Sequence, residues 1–183
     1  MPRGPQTVCL WSAVALLFLM TTAGTSRAKE FSLETVGFRA GFSGPGSGED
    51  FNQAEFFANW NLPWLWNLGR RWYLEPRADV SLGWLGDRTD NAAIGTLGPS
   101  LVLSHGTIPV TLEGGIGPTL LSQHDFGTKD FGIKLQFTSH VGVDWDVTSR
   151  WRLGYRFQHM SNGGLSDHNP GLNMHMLGIS YLF

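Results

Sequence analysis

Eight stretches of about ten residues, in each of which apolar and polar side chains alternate, constrain this chain more than any other feature. Side chains on a β-strand point to opposite faces in turn, so a period of two gives each strand one apolar and one polar face. In the first stretch Val36, Phe38, Ala40 and Phe42 interleave with Thr35, Gly37, Arg39 and Gly41. In the second Ala54, Phe56, Ala58, Trp60 and Leu62 interleave with Glu55, Phe57, Asn59 and Asn61. The third sets Trp72, Leu74, Ala78, Val80, Leu82 and Trp84 against Tyr73, Glu75, Arg77, Asp79, Ser81 and Gly83. A weaker fourth covers 94–103, and the fifth sets Val110, Leu112, Ile116 and Leu120 against Thr111, Glu113, Gly115 and Thr119. The sixth sets Ile133, Leu135, Phe137, Val141, Val143 and Trp145 against Lys134, Gln136, Thr138, His140 and Asp144. The seventh is 151–161 and the eighth 173–183.

Two all-β architectures accept such strands, a soluble sandwich and a membrane barrel, and the polar faces choose between them. They carry Arg39, Glu75, Arg77, Asp79, Glu113, Lys134, Arg152 and Arg156, in both signs and interleaved with glycine. An eight-stranded barrel has an interior just wide enough for side chains to fill, and charge pairs with glycine spacers suit that filling. The apolar faces begin or end in Trp60, Trp72, Trp84, Trp145, Trp151 and Tyr181, the pattern of aromatic girdles at a bilayer's two interfaces. Polar connections at 44–52, 86–91, 123–130 and 162–171 alternate with brief ones. Phe183 as last residue, after Leu177, Ile179 and Tyr181, resembles the C-terminal signature of bacterial outer-membrane proteins. The expected fold is an eight-stranded antiparallel transmembrane β-barrel of the bacterial outer membrane.

The first residues fit this location. Arg3, the apolar run 8–20 and the small-residue site 26–28 read as a secretory signal cleaved after Ala28, leaving the barrel over 29–183. The apolar run is shorter than the roughly 20 residues of a spanning helix. The single cysteine, Cys9, leaves with the signal, so the mature chain has no disulfide, thiol nucleophile or thiolate metal site. Its mildly acidic balance gives no sign of nucleic-acid binding.

Chemistry concentrates in the last 29 residues. His159 and Ser161 are two apart on a strand, so they share a face about 7 Å apart along the backbone, close enough for an imidazole to serve a hydroxyl nucleophile. That face also carries Trp151, Leu153, Tyr155 and Phe157, which places the pair against lipid, at the outer-leaflet end of the seventh strand. Taken alone, His159 reads more readily as an amphipathic tip at a headgroup boundary. The following Asn162-Gly163-Gly164 adds amide and backbone N–H donors suited to a developing oxyanion.

The run Tyr155-Arg156-Phe157-Gln158-His159-Met160-Ser161-Asn162-Gly163-Gly164-Leu165, then Asn169-Pro170-Gly171 and the terminal strand, resembles the outer-membrane lipid A 3-O-deacylase family. The resemblance implies a serine hydrolase, independent of calcium and zinc and without a cofactor. It removes the acyl chain ester-linked at position 3 of lipid A, within lipopolysaccharide in the outer leaflet. It also implies Ser161 as nucleophile, His159 as general base, and Asn162, Gly164 and Asn169 as oxyanion-hole or loop-ordering residues. The family's third residue is an acid on the last strand, and the matching position here is Asn173. An amide orients an imidazole but cannot balance its charge. Asp167 is the nearest carboxylate by sequence.

Two other functions are compatible with the pattern: a non-enzymatic structural or adhesive barrel, and another lipid-modifying barrel, a phospholipase or acyltransferase. Outer-membrane lipid is the surrounding partner in every case, and a homodimer is compatible with all three.

Overall fold

A computed structural model describes residues 26–27, 30–44, 50–127 and 129–183. Most of the expected signal, 1–25 and 28, lies outside the described residues. The barrel strands are β1 (Ser32–Ser43), β2 (Asn52–Asn61), β3 (Trp72–Gly86), β4 (Asn91–His105), β5 (Ile108–Leu121), β6 (Leu135–Asp146), β7 (Trp151–Ser161) and β8 (Leu172–Leu182). Each pairs antiparallel with the next, and β8 closes the ring on β1 with Leu177 opposite Ala40 and Tyr181 opposite Val36. The expected eight-stranded barrel is what forms. Four short strands decorate it: Ser26–Arg27 pairs with Leu65–Gly69 at the end of the short turns, and Asp125–Phe126 with Lys129–Asp130 at the other end.

Period two sorts the side chains as the alternation requires. Phe56, Leu82, Leu97, Ile116, Val141 and Leu177 are exposed on the outside, whereas Arg39, Glu55, Arg77, Arg152 and Arg156 are buried in the lumen. The lumen charges pair: Arg39 with Glu55, Arg156 Nη2 with Glu113 Oε1 at 2.6 Å, and Arg77 Nη2 with Glu34 Oε1 at 2.7 Å. Such pairs are needed because an unpartnered buried charge is strongly unfavourable. Phe57 also points inward, under the Arg39 guanidinium 4.7 Å from its ring centroid. Gly37 makes room for it, since a Cβ there would stand 2.6 Å from Phe57 Cζ.

Two expectations are corrected. Lys134 does not fill the lumen: β6 begins at Leu135, and Lys134 is exposed in the bend before it. The cause lies two residues upstream, where Gly132 turns at φ 80° and its N–H is held by Asp130 Oδ1 at 2.7 Å. That bond and the His124 imidazole hold the Asp130 carboxyl below the usual carboxylate range. The lumen is also not polar throughout. Its outer end is an apolar plug containing Phe51, Leu85, Phe126, Phe131, Met160 and Leu172, all at most 2% exposed.

The faces predict an asymmetric response to charge. Leu177, 67% exposed on the outside, should tolerate lysine poorly: Leu177→Lys should lower barrel stability by about 2–4 kcal/mol near the bilayer midplane. Urea unfolding followed by loss of heat-modifiable mobility measures this. A loss well below 1 kcal/mol would move Leu177 out of the hydrocarbon layer.

Candidate active site

The seventh and eighth strands bring the candidate residues together at the end of the barrel that carries the long connections. His159 on β7 is exposed and lies directly opposite Asn173 on β8. Its Nδ1 stands 2.7 Å from Asn173 Oδ1. An amide oxygen only accepts, so Nδ1 carries a proton, and in the neutral imidazole Nε2 is the nitrogen with the lone pair. Ser161 follows two residues later on the same face, half-exposed, its hydroxyl without a hydrogen bond among the described residues. Gly171, just before β8, closes over the imidazole: a Cβ there would stand 2.9 Å from His159 Cε1 and 3.6 Å from Nε2. These two ring atoms are thus turned toward the outer rim, where Ser161 lies.

The loop 162–171 is ordered from beneath by one side chain. Asn162 is completely buried. Its Nδ2 donates to the carbonyls of Phe131 at 3.0 Å and His168 at 2.6 Å, and its Oδ1 accepts the Gly164 N–H at 2.9 Å. Its own backbone N–H donates to Asn169 Oδ1 at 3.0 Å. Asn169 is exposed, and with its oxygen so engaged its Nδ2 is directed away from Asn162. Asp167 is exposed and forms no hydrogen bond or ion pair among the described residues. The His159 Nδ1 partner is therefore Asn173, not Asp167.

Sequence reasoning brought out His159, Ser161, Asn162, Gly164, Asn169 and Asn173. It missed Phe131, the plug residue whose carbonyl anchors Asn162, because nothing in a loop's pattern marks a carbonyl. Gly171 stood in the Asn-Pro-Gly motif without a role, and its φ of 63° and its approach to His159 come from the structure alone. A second imidazole also faces outward: His175 Nδ1 lies 2.7 Å from the Tyr155 hydroxyl, and its ring packs on Phe42 and Phe157. Among the described residues no group of three or more acidic, histidine or cysteine side chains is placed to hold a metal ion.

The lipid A 3-O-deacylase (PagL) family model matches residues 54–182, and these contain the whole constellation just described. The chain belongs to that family. It is 32% identical over 139 residues to the lipid A deacylase PagL of Bordetella bronchiseptica, across 68% of this chain and 74% of that protein. The crystal structure of the outer-membrane enzyme PagL superposes with a TM-score of 0.70 at 20% identity, covering 80% of this chain and 97% of the other. Neisserial surface protein A superposes with a TM-score of 0.50 at 12% identity, covering 85% and 100%. At these identities the structural likenesses speak to the barrel alone, and a fold hosts many functions. Family membership, with the deacylase relative, makes the chain an ester hydrolase of the outer membrane and removes the non-enzymatic barrel from consideration.

Proposed function

We propose that this lipid A 3-O-deacylase works as a Ser–His–Asn hydrolase at the outer-leaflet interface. The observation that carries the reading is the 2.7 Å contact from His159 Nδ1 to Asn173 Oδ1, which fixes the tautomer that a general base requires. Ser161 Oγ attacks the carbonyl carbon of the 3-linked ester while its proton passes to His159 Nε2. The tetrahedral intermediate collapses by breaking the bond to the sugar oxygen, which takes that proton back from the imidazolium. Water, deprotonated by the same nitrogen, then attacks the acyl-Ser161 ester and releases the fatty acid. Each proton taken is returned, so no cofactor enters the balance.

The oxyanion is stabilised by donors fixed in advance. Asn162 is the loop-ordering member of the candidates, since its amide is spent on Phe131, His168 and Gly164. The Asn169 Nδ2 is the oxyanion donor, oriented by the bond its oxygen accepts from the Asn162 N–H. Ser161 faces lipid, so the substrate reaches it by lateral diffusion in the leaflet, without passing through the plugged lumen.

Expression in a bacterium that lacks the activity, followed by mass analysis of its lipid A, tests the substrate. Loss of one hydroxyacyl chain, with no fatty acid from phospholipid and no newly acylated acceptor, is the expected result. Fatty acid released from phospholipid, or a newly acylated acceptor, would instead favour a phospholipase or acyltransferase.

Asn173 tests the mechanism. Asn173→Ala removes orientation but no charge, so it should slow turnover at least about tenfold less than Ser161→Ala, a difference of about 1.4 kcal/mol. Asn173→Glu supplies the charge that stabilises imidazolium and should hold or raise the rate. A tenfold or larger drop for the glutamate variant would mean that Asn173 does not act on the base.

A further inference from the structure

The outward face of β6 is apolar at every position but one. Leu135, Phe137, Val141, Val143 and Trp145 face lipid, and Ser139 stands among them. Ser139 pairs directly with His159 across β6 and β7, as His159 does with Asn173 across β7 and β8. A hydroxyl, an imidazole and an amide thus occupy one rung of the outer surface, with directly opposed Cβ atoms about 4.5–5.5 Å apart. On the far side of Ser139 lies Ile116 of β5, apolar and 57% exposed. The Ser139 hydroxyl has no hydrogen-bond partner among the described residues. Facing hydrocarbon, such a group is unfavourable unless the lipid itself brings a partner.

Its position is close to where the scissile acyl chain would begin. Ser161 is opposite Phe137, one rung nearer the rim, so Ser139 lies about 7 Å deeper along the strands and one strand aside. One rung deeper again, Gly114 of β5 is opposite Val141, and no atom comes closer than 3.6 Å to where its Cβ would stand. The surface therefore dips beside Val141, two strands from β7 on the side toward the bilayer centre. Ser139 is not placed as a second nucleophile, because the Cε1 and Nε2 edge of His159 is turned toward Gly171 and the rim, away from the rung that Ser139 occupies.

We propose that Ser139 determines specificity by hydrogen-bonding an oxygen borne on the third carbon of the scissile acyl chain. The inference rests on the deacylase reading and adds to it a residue that determines specificity. The serine hydroxyl both donates and accepts, which matches a substrate hydroxyl in either role. A site built to bond a hydroxyl discriminates strongly against the analogue that lacks it.

The test uses full-length protein folded in detergent and two synthetic lipid A substrates, identical except that the position-3 acyl chain is 3-hydroxylated in one and unsubstituted in the other. Wild type should favour the hydroxylated chain by at least about tenfold in kcat/KM. Ser139→Ala should bring that ratio to within about threefold of one, mainly through KM on the hydroxylated substrate. Ser139→Thr should keep the preference and the nearly isosteric Ser139→Val should lose it, which separates the hydroxyl from bulk even if the alanine variant folds poorly. A wild-type ratio near one, or a ratio that survives in both Ser139→Ala and Ser139→Val, overturns the proposal while the deacylase reading stands. Equal loss on both substrates, as deep as that of Ser161→Ala, would instead put Ser139 in the chemistry and overturn its role in specificity. Wild-type inactivity on both substrates would refute the deacylase reading and this inference with it.

Discussion

Ser161→Ala is expected to abolish deacylation, lowering turnover by at least about 10⁴-fold while the barrel still folds. Folding should survive because the Ser161 hydroxyl makes no hydrogen bond among the described residues, so alanine removes no structural contact. His159→Ala should be equally severe. It removes the base together with its contact to Asn173 Oδ1, but His159 is exposed and holds up no part of the core. The nucleophile and its base act as one unit, so the double variant should be scarcely slower than either single one. Release of hydroxy fatty acid from purified lipid A measures the rates, and heat-modifiable mobility reports the fold. Retention of more than about a tenth of wild-type turnover by Ser161→Ala would overturn the assignment of the nucleophile.

The barrel was legible because each strand borders two solvents at once. Lipid outside and a polar lumen inside force alternation at nearly every position, so the pattern survives without any partner strand being known. β7 was readable end to end for this reason, since Arg152, Arg156 and Gln158 are buried and Leu153, Tyr155 and His159 are not. The pattern misled where a loop imitates a strand. Ile133 and Lys134 continue the alternation of β6, yet the Asp130 carboxylate has already seized the Gly132 N–H and bent the chain. The plug was illegible for another reason. Phe51, Phe126 and Phe131 come from two separate loops and meet above the lumen, Phe126 edge to face with both others and its centroid 5.3 Å from that of Phe51. Nothing local in the sequence records that meeting.

The site divides the same way. His159 and Ser161 follow from spacing on one strand, whereas Asn173 is placed by pairing between two strands, which spacing cannot give. The likeness to a known family supplied that pairing and, with it, a position where this chain has an amide in place of an acid. The base thus has an orienting partner but, among the described residues, no carboxylate bonded to it. Orientation carries a larger share of the catalysis, and whatever disturbs the ring should be felt more strongly.

Gly171 is where that sensitivity should be greatest. It sits at φ 63°, a left-handed conformation that costs an L-residue about 1–2 kcal/mol. A Cβ added there would press to 2.9 Å from His159 Cε1, closer than carbon atoms tolerate, so the backbone or the ring must give. The backbone is held: Leu172 begins β8 and is buried in the plug at 1% exposure. The ring is exposed and gives first, swinging away from Gly171 and out of line with Asn173 Oδ1. A displacement of about 1 Å from the reactive geometry can cost 10²-fold in rate. Gly171→Ala is therefore expected to lower kcat by about 10²-fold with a much smaller change in KM, since it moves the base and leaves the lipid-facing surface of β6 untouched. Urea unfolding should show a loss of no more than about 2 kcal/mol, the cost of the backbone conformation. Turnover within about threefold of wild type would show that His159 is not confined by the Gly171 backbone, and that Asn173 alone sets its direction.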